Sequence, residues 1–136
     1  MNKILILIIA LSFLGYAEDI DSSLDSCLQA DPSTFGMVEC MIKATQRWDE
    51  KLNEVYKELM SVLTDSEKKK LRDSQRKWIE FKDNEISFIN EAFAYDDRYR
   101  GTIVKLHRAE YVMNVTKSRA VVLMDYLSSY KDSLDD

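Results

Sequence analysis

This 136-residue chain has one proline and three glycines, and none of the four lies between Met37 and Arg100. A stretch that long without a helix breaker, and rich in Leu, Glu, Lys and Met, excludes a turn-rich β architecture and predicts long helices. The glycine count also leaves no phosphate-cradling loop. There is one histidine, His107. Alone on a helix it supplies neither a base paired with a nucleophile nor a ligand set for a metal, and no His-Glu-x-x-His spacing is present. Acidic residues are plentiful but scattered over helix surfaces, and nothing marks a pair of catalytic carboxylates. The expectation is therefore a non-enzyme with no catalytic residue, no metal site and no cofactor.

Cysteine is almost as scarce. Cys27 and Cys40 are the only two, which with a lone histidine makes a structural zinc site improbable. In an exported chain two cysteines predict one disulfide, and the pairing is forced if it forms within the chain. Long apolar runs are confined to the N-terminus. Lys3 supplies a positive start, Ile4 to Leu14 an apolar stretch too short to span a bilayer comfortably, and Gly15-Tyr16-Ala17 a small-residue cleavage site. Residues 1–17 are expected to be a signal peptide cut after Ala17, leaving one domain over residues 18–136, periplasmic or secreted, with no stable membrane anchor after cleavage. Lys3 is the only charge in that segment, so cleavage takes the net charge from -5 to -6. An acidic chain disfavours nucleic acid as a partner and suits a basic protein.

Charged residues make up 32% of what is there, and their spacing leaves clear apolar faces. Residues 18–29 form a short acidic arm or helix with Ile20, Leu24 and Leu28 at helical steps. Asp31-Pro32-Ser33-Thr34 punctuates the chain and starts a first long helix running to about Leu63. Its core face reads Met37, Met41, Ala44, Trp48, Leu52, Val55, Leu59 and Val62. Thr64-Asp65-Ser66-Glu67 fits a capping box and starts a second helix with almost no linker. Its expected core face is Leu71, Trp78, Phe81, Ile86, Phe88, Ile89 and Phe93, and the segment Leu71 to Asp83 is expected to be the element the rest of the chain covers.

Ala94 to Gly101 reads as the main loop. A third helix is expected from Thr102 to about Tyr130, with one stripe of Ile103, Leu106, Met113, Ala120, Leu123 and Leu127. A second stripe of Val104, Tyr111, Val115, Val122 and Tyr126 predicts contact with two neighbours. Lys131 to Asp136 is expected to be a frayed tail. The fold class is all-α, a bundle of three long helices with a disulfide-stapled N-terminal arm or short helix. Polar residues among the apolar positions, Asn53, Gln75 and Arg119, are expected to form an internal network that fixes helix register.

Three motifs then stand in order behind the signal segment. They are Leu52-Asn53-x-x-Tyr56-x-x-Leu59-x-x-x-Leu63, Leu71-x-x-x-Gln75-x-x-Trp78-x-x-x-Lys82-Asp83, and Thr116-x-x-Arg119-x-x-x-Leu123. Together they resemble the LprI-like lysozyme-inhibitor family of small exported bacterial helical proteins, from Cys27 to about Leu127. The resemblance implies a structural polar core of Asn53, Tyr56, Gln75, Trp78, Lys82, Asp83 and Arg119. Cys27 and Cys40 match the family's first cysteine pair. Ile86 and Tyr111 stand where many members carry a second pair, and an apolar contact is expected in its place. Lys82 replaces the more usual arginine, which keeps the charge but loses the planar fork.

In function the resemblance implies an exported envelope binding protein with lysozyme as the expected partner. The alternative is a periplasmic structural or assembly factor that binds another envelope protein through a helix face. The expected contact with a partner is the loop Tyr95, Asp96, Asp97, Arg98, Tyr99 and Arg100, because Tyr and Arg are favoured interface anchors and the aspartates can meet cationic groups.

Overall fold

Helix starts in this chain are set by short polar side chains. Ser33 accepts a hydrogen bond from the Gly36 N–H (3.0 Å) in extended backbone geometry, and Asp31 accepts one from the Ser33 N–H (3.0 Å). A Cβ at position 36 would overlap the Asp31 carboxylate, so only glycine permits this close approach. The hydrogen bonds from Ser33 hold the Asp31 carboxyl below its ordinary range. At Thr64 the capping box is complete. The Thr64 N–H and hydroxyl both donate to Glu67 Oε2 at 2.8 Å, and these bonds, the backbone one foremost, lower the Glu67 pKa.

The computed structural model describes residues 19–94 and 101–134. Within them lie α1 (residues 19–30), α2 (Thr34–Val62), α3 (Asp65–Ala92) and α4 (Ile103–Ser133). The described residues are thus all-helical, but the bundle has four helices rather than three: the N-terminal arm is itself a helix, stapled to α2 by the Cys27–Cys40 disulfide. The expected tail is corrected too. α4 continues to Ser133, and Lys131 is drawn in by an ion pair with Glu58.

The core lies between α2 and α4. Ala44, Trp48, Leu52, Val55 and Leu59 recur at steps of three or four on α2, and Met113, Ala120, Leu123, Met124 and Leu127 face them from α4. Trp48, Val55, Leu123 and Leu127 are fully buried, and each fully buried aliphatic side chain of this kind contributes about 1.5–3 kcal/mol. Two cross-links fix direction. Lys117 Nζ sits 5.3 Å from the Trp48 ring centroid, and further along both helices Lys131 meets Glu58, so α2 and α4 run parallel. Ile20 of α1 closes this core at one side, and Asp21 accepts two hydrogen bonds from Lys117 Nζ, each 2.8 Å.

α3 occupies a lesser place than its sequence suggests. Its only buried residues are Gln75 and Ile89, with Leu71 and Trp78 packed on the margin of the core. Phe81 and Phe88, expected in the core, are 53% and 61% exposed. They lie on one flank of the helix, whereas its contact stripe runs through Leu71, Gln75, Trp78, Lys82, Ile89 and Phe93 at helical spacing. α3 packs antiparallel on α4, as the pairs Glu67–Tyr130, Gln75–Arg119 and Phe93–Tyr111 show. α4 therefore packs on α2 and α3, and α1 touches it as well. Lys117 and Arg119, two residues apart, point to opposite sides of it, the first to α1 and the second to α3.

Candidate functional site

The polar residues gather at the α3–α4 seam. Arg119 donates from Nε to Gln75 Oε1 (3.0 Å) and from a terminal nitrogen to Ser74 Oγ (3.3 Å). Its guanidinium lies 5.9 Å from the Trp78 ring centroid, and Lys82 Nζ lies 5.3 Å from the same ring. Trp78 is thus held between two cations, one from each helix. Burial pushes the Arg119 pKa down from its ordinary value, the cost of desolvating a charge next to an apolar ring. Farther up the seam, Tyr130 donates its hydroxyl to Glu67 Oε2 (3.0 Å), which raises the tyrosine pKa and ties the α3 cap to α4.

The other residues expected with this network lie elsewhere. Asn53 is exposed, and its amide donates to the Asp49 backbone oxygen (2.9 Å) and carboxylate (3.3 Å) of its own helix, so its place in a buried network is corrected. It sits off the α2 core stripe, two positions from the fully buried Val55. Tyr56 is half-buried against the main core, and Asp83 is exposed. Tyr111 packs its ring on Phe93, with centroids 4.9 Å apart. The loop from Tyr95 to Arg100 and the signal segment lie outside the described residues.

A groove of about 490 Å³ opens where α2, α3 and α4 meet at the end of the bundle nearest Ala92. Val38 and Ile42 of α2 and Ala109 and Val112 of α4 give it aliphatic walls; Gln46 and Asn90 stand at its rim with Lys105 and Arg108. Sequence reasoning missed these residues. The signal was present in Val38 and Ile42, an apolar pair four residues apart on a flank of α2 that the core stripe does not use.

His107 is exposed, 3.9 Å from Glu110 and stacked near Tyr111. Among the described residues no group of three or more His, Cys, Asp or Glu side chains is placed to hold a metal ion, and no helix is long and apolar enough to cross a membrane. What the arrangement offers is binding surface: a groove with a cationic rim, and the exposed rings of Phe81 and Phe88.

Comparison with curated proteins and with solved structures gives no match. A family model described as lysozyme inhibitor LprI matches residues 25–123, from the start of the stapled region into the inner turns of α4. That span holds both cysteines, the whole of α2 and α3, and the Gln75–Arg119 seam. The description is of an inhibitor, not of an enzyme. The chain belongs to the lysozyme inhibitor LprI family.

Proposed function

We propose that this protein is exported to the bacterial envelope, where it binds and inhibits a lysozyme. The family match carries this reading. Two further observations support it. The disulfide suits an oxidising compartment, reached by cleavage of residues 1–17 to leave a single periplasmic or secreted domain over residues 18–136. The net charge of -5, made more negative by that cleavage, favours encounter with a basic enzyme. The contact assigned to the partner is the segment Tyr95 to Arg100 between α3 and α4.

The test is cell-wall lysis by lysozymes of several classes, with the oxidised protein added after purification from the exported fraction. Inhibition saturating near one equivalent and weakening with salt is the expected result. Undiminished lysis by every class at excess protein overturns the reading. Replacing Tyr95, Asp96, Tyr99 and Arg100 with Ala should abolish inhibition, and unchanged inhibition would remove that segment from the interface.

A second reading, an assembly factor that binds another envelope protein through a helix face, is favoured by the exposed Phe81 and Phe88 on one flank of α3. The double variant Phe81→Ser, Phe88→Ser separates the two. Loss of a purified partner's binding with lysozyme inhibition intact would favour assembly, and intact binding would remove this flank.

A further inference from the structure

We propose that the groove between α2, α3 and α4 binds a short peptide with a free carboxylate, and that Arg108 is the residue that captures the carboxylate. Arg108 is half-buried at the groove rim, and no carboxylate among the described residues lies within ion-pair distance of it. Every nearby position one turn away on α4 is uncharged or basic: Val104, Lys105, Tyr111 and Val112. In a chain whose acids outnumber its bases, 24 to 19, Lys117 and Lys131 of the same helix are ion-paired to α1 and α2 and Arg119 is hydrogen-bonded to Gln75 and Ser74, whereas the Arg108 guanidinium makes no ion pair or side-chain hydrogen bond among the described residues.

The rest of the lining selects among carboxylates. Ile42 is 43% exposed, and with Val112 it presents branched methyl groups that suit small aliphatic side chains. Gln46 of α2 and Asn90 of α3 both line the groove, and both are exposed. Each amide carries donors and an acceptor, the complement of a peptide backbone. An acyl chain would use the aliphatic walls but make no hydrogen bond to either amide, whereas a peptide backbone can bond to both. A planar guanidinium matches a terminal carboxylate with two parallel hydrogen bonds. The groove's volume, about 490 Å³, falls within the range of sites for ligands of a few residues, and its position between helices of a bundle is a common one. This site goes beyond the lysozyme reading: it needs neither residues 95–100 nor an acidic surface, and either can fail without the other.

The experiment is a titration of the isotope-labelled, oxidised protein, followed by backbone amide NMR. Three probes are used: acetyl-Ala-Val with a free carboxylate, the same peptide as its C-terminal amide, and sodium decanoate. The free acid should give saturable shifts confined to residues 38–46, around Asn90 and 105–112. The amide should bind at least tenfold more weakly than the free acid, and decanoate, which shares the carboxylate but not the peptide backbone, should also bind more weakly than the free acid. Arg108→Gln should weaken the free acid at least tenfold and leave the amide unchanged. Ile42→Glu, a substitution at an already exposed position, should block the free acid by supplying Arg108 with a carboxylate from within the chain. It keeps the test decisive if Arg108→Gln perturbs α4. No saturable shift at millimolar peptide, shifts centred elsewhere, equal binding of acid and amide, or tighter binding of decanoate would each overturn the proposal.

Discussion

Removing the disulfide should lower stability by an amount that loop length alone fixes. Cys27 and Cys40 are 13 residues apart, and the chain-entropy relation for a loop of that size gives about 3 kcal/mol. The remaining attachments of α1 are modest. Ile20 is the one residue of α1 in the core, supported by Leu24 at its edge, and its full burial is worth about 1.5–3 kcal/mol. The Arg47–Asp19 and Lys117–Asp21 pairs are both partly exposed and contribute about 0.2–1 kcal/mol each. Ordering the backbone of a residue costs about 1–2 kcal/mol before its hydrogen bonds are counted. A twelve-residue helix without its staple is therefore close to undocking. The Cys27→Ser, Cys40→Ser variant should melt roughly 10–15 °C below the oxidised protein by calorimetry, given the usual entropy of unfolding for a domain of this size. Reduction of the native protein should reproduce the shift. Hydrogen exchange should locate it, with the amides of residues 19–30 losing protection first. A shift under about 3 °C would refute the reasoning, because it would mean that the bridge removes little conformational freedom from the unfolded chain.

Three more predictions follow from the seam and the caps. Gln75→Ala should destabilise by about 2 kcal/mol in denaturant unfolding, since it leaves the half-buried Arg119 without its Nε–H acceptor; the double variant Gln75→Leu, Arg119→Leu should recover most of that loss, and additive losses would argue against coupling. α3 buries so little apolar surface that its amides should exchange at least tenfold faster than those facing Trp48 on α2, a difference of about 1.4 kcal/mol; equal protection in both helices would contradict the peripheral placement. Asp31 and Glu67 both have lowered folded pKa values, so their stabilising contributions are present above the unfolded carboxylate range near pH 4 and are lost as pH falls through the depressed folded values; Glu67→Gln should flatten the acid limb of the melting-temperature profile, and an unchanged limb would exclude the cap as its source.

Helical period told which residues share a face, and on α2 that was enough. Ala44, Trp48, Leu52, Val55 and Leu59 form one stripe with one large neighbour, and all are buried. The capping box at Thr64 and the start of α2 after Pro32 were legible for the same reason: each is local chemistry, decided within four residues. On α3 the apolar residues spread over more than half of the circumference, and period alone does not say which of them will meet a partner. Only the stripe turned to α4 is covered, so Gln75 and Ile89 are buried while Phe81 and Phe88 face solvent. Asn53 failed in the same way, since a polar residue beside a core stripe can turn either in or out. The groove was hidden because it belongs to no single helix.

Of the residues by which the sequence resembles its family, Leu52, Leu59 and Leu123 lie in the main core, but Gln75, Trp78, Lys82 and Arg119 meet at this thinly covered contact. The α2–α4 core is held by many apolar side chains whose total volume matters more than their identity, and such cores tolerate exchange among aliphatic residues. The α3–α4 contact has few apolar side chains to set its register. A hydrogen-bonded Gln–Arg pair, with the guanidinium over an indole, has one satisfactory alignment, and a slip of one residue along α3 would leave Arg119 half-buried and unpaired. Specific side chains are thus demanded where nonspecific burial is weakest. That explains how four residues can be so recognisable in sequence and yet lie at the margin of the fold, fixing the angle at which α3 closes one wall of the groove lined by Ile42, Asn90 and Arg108.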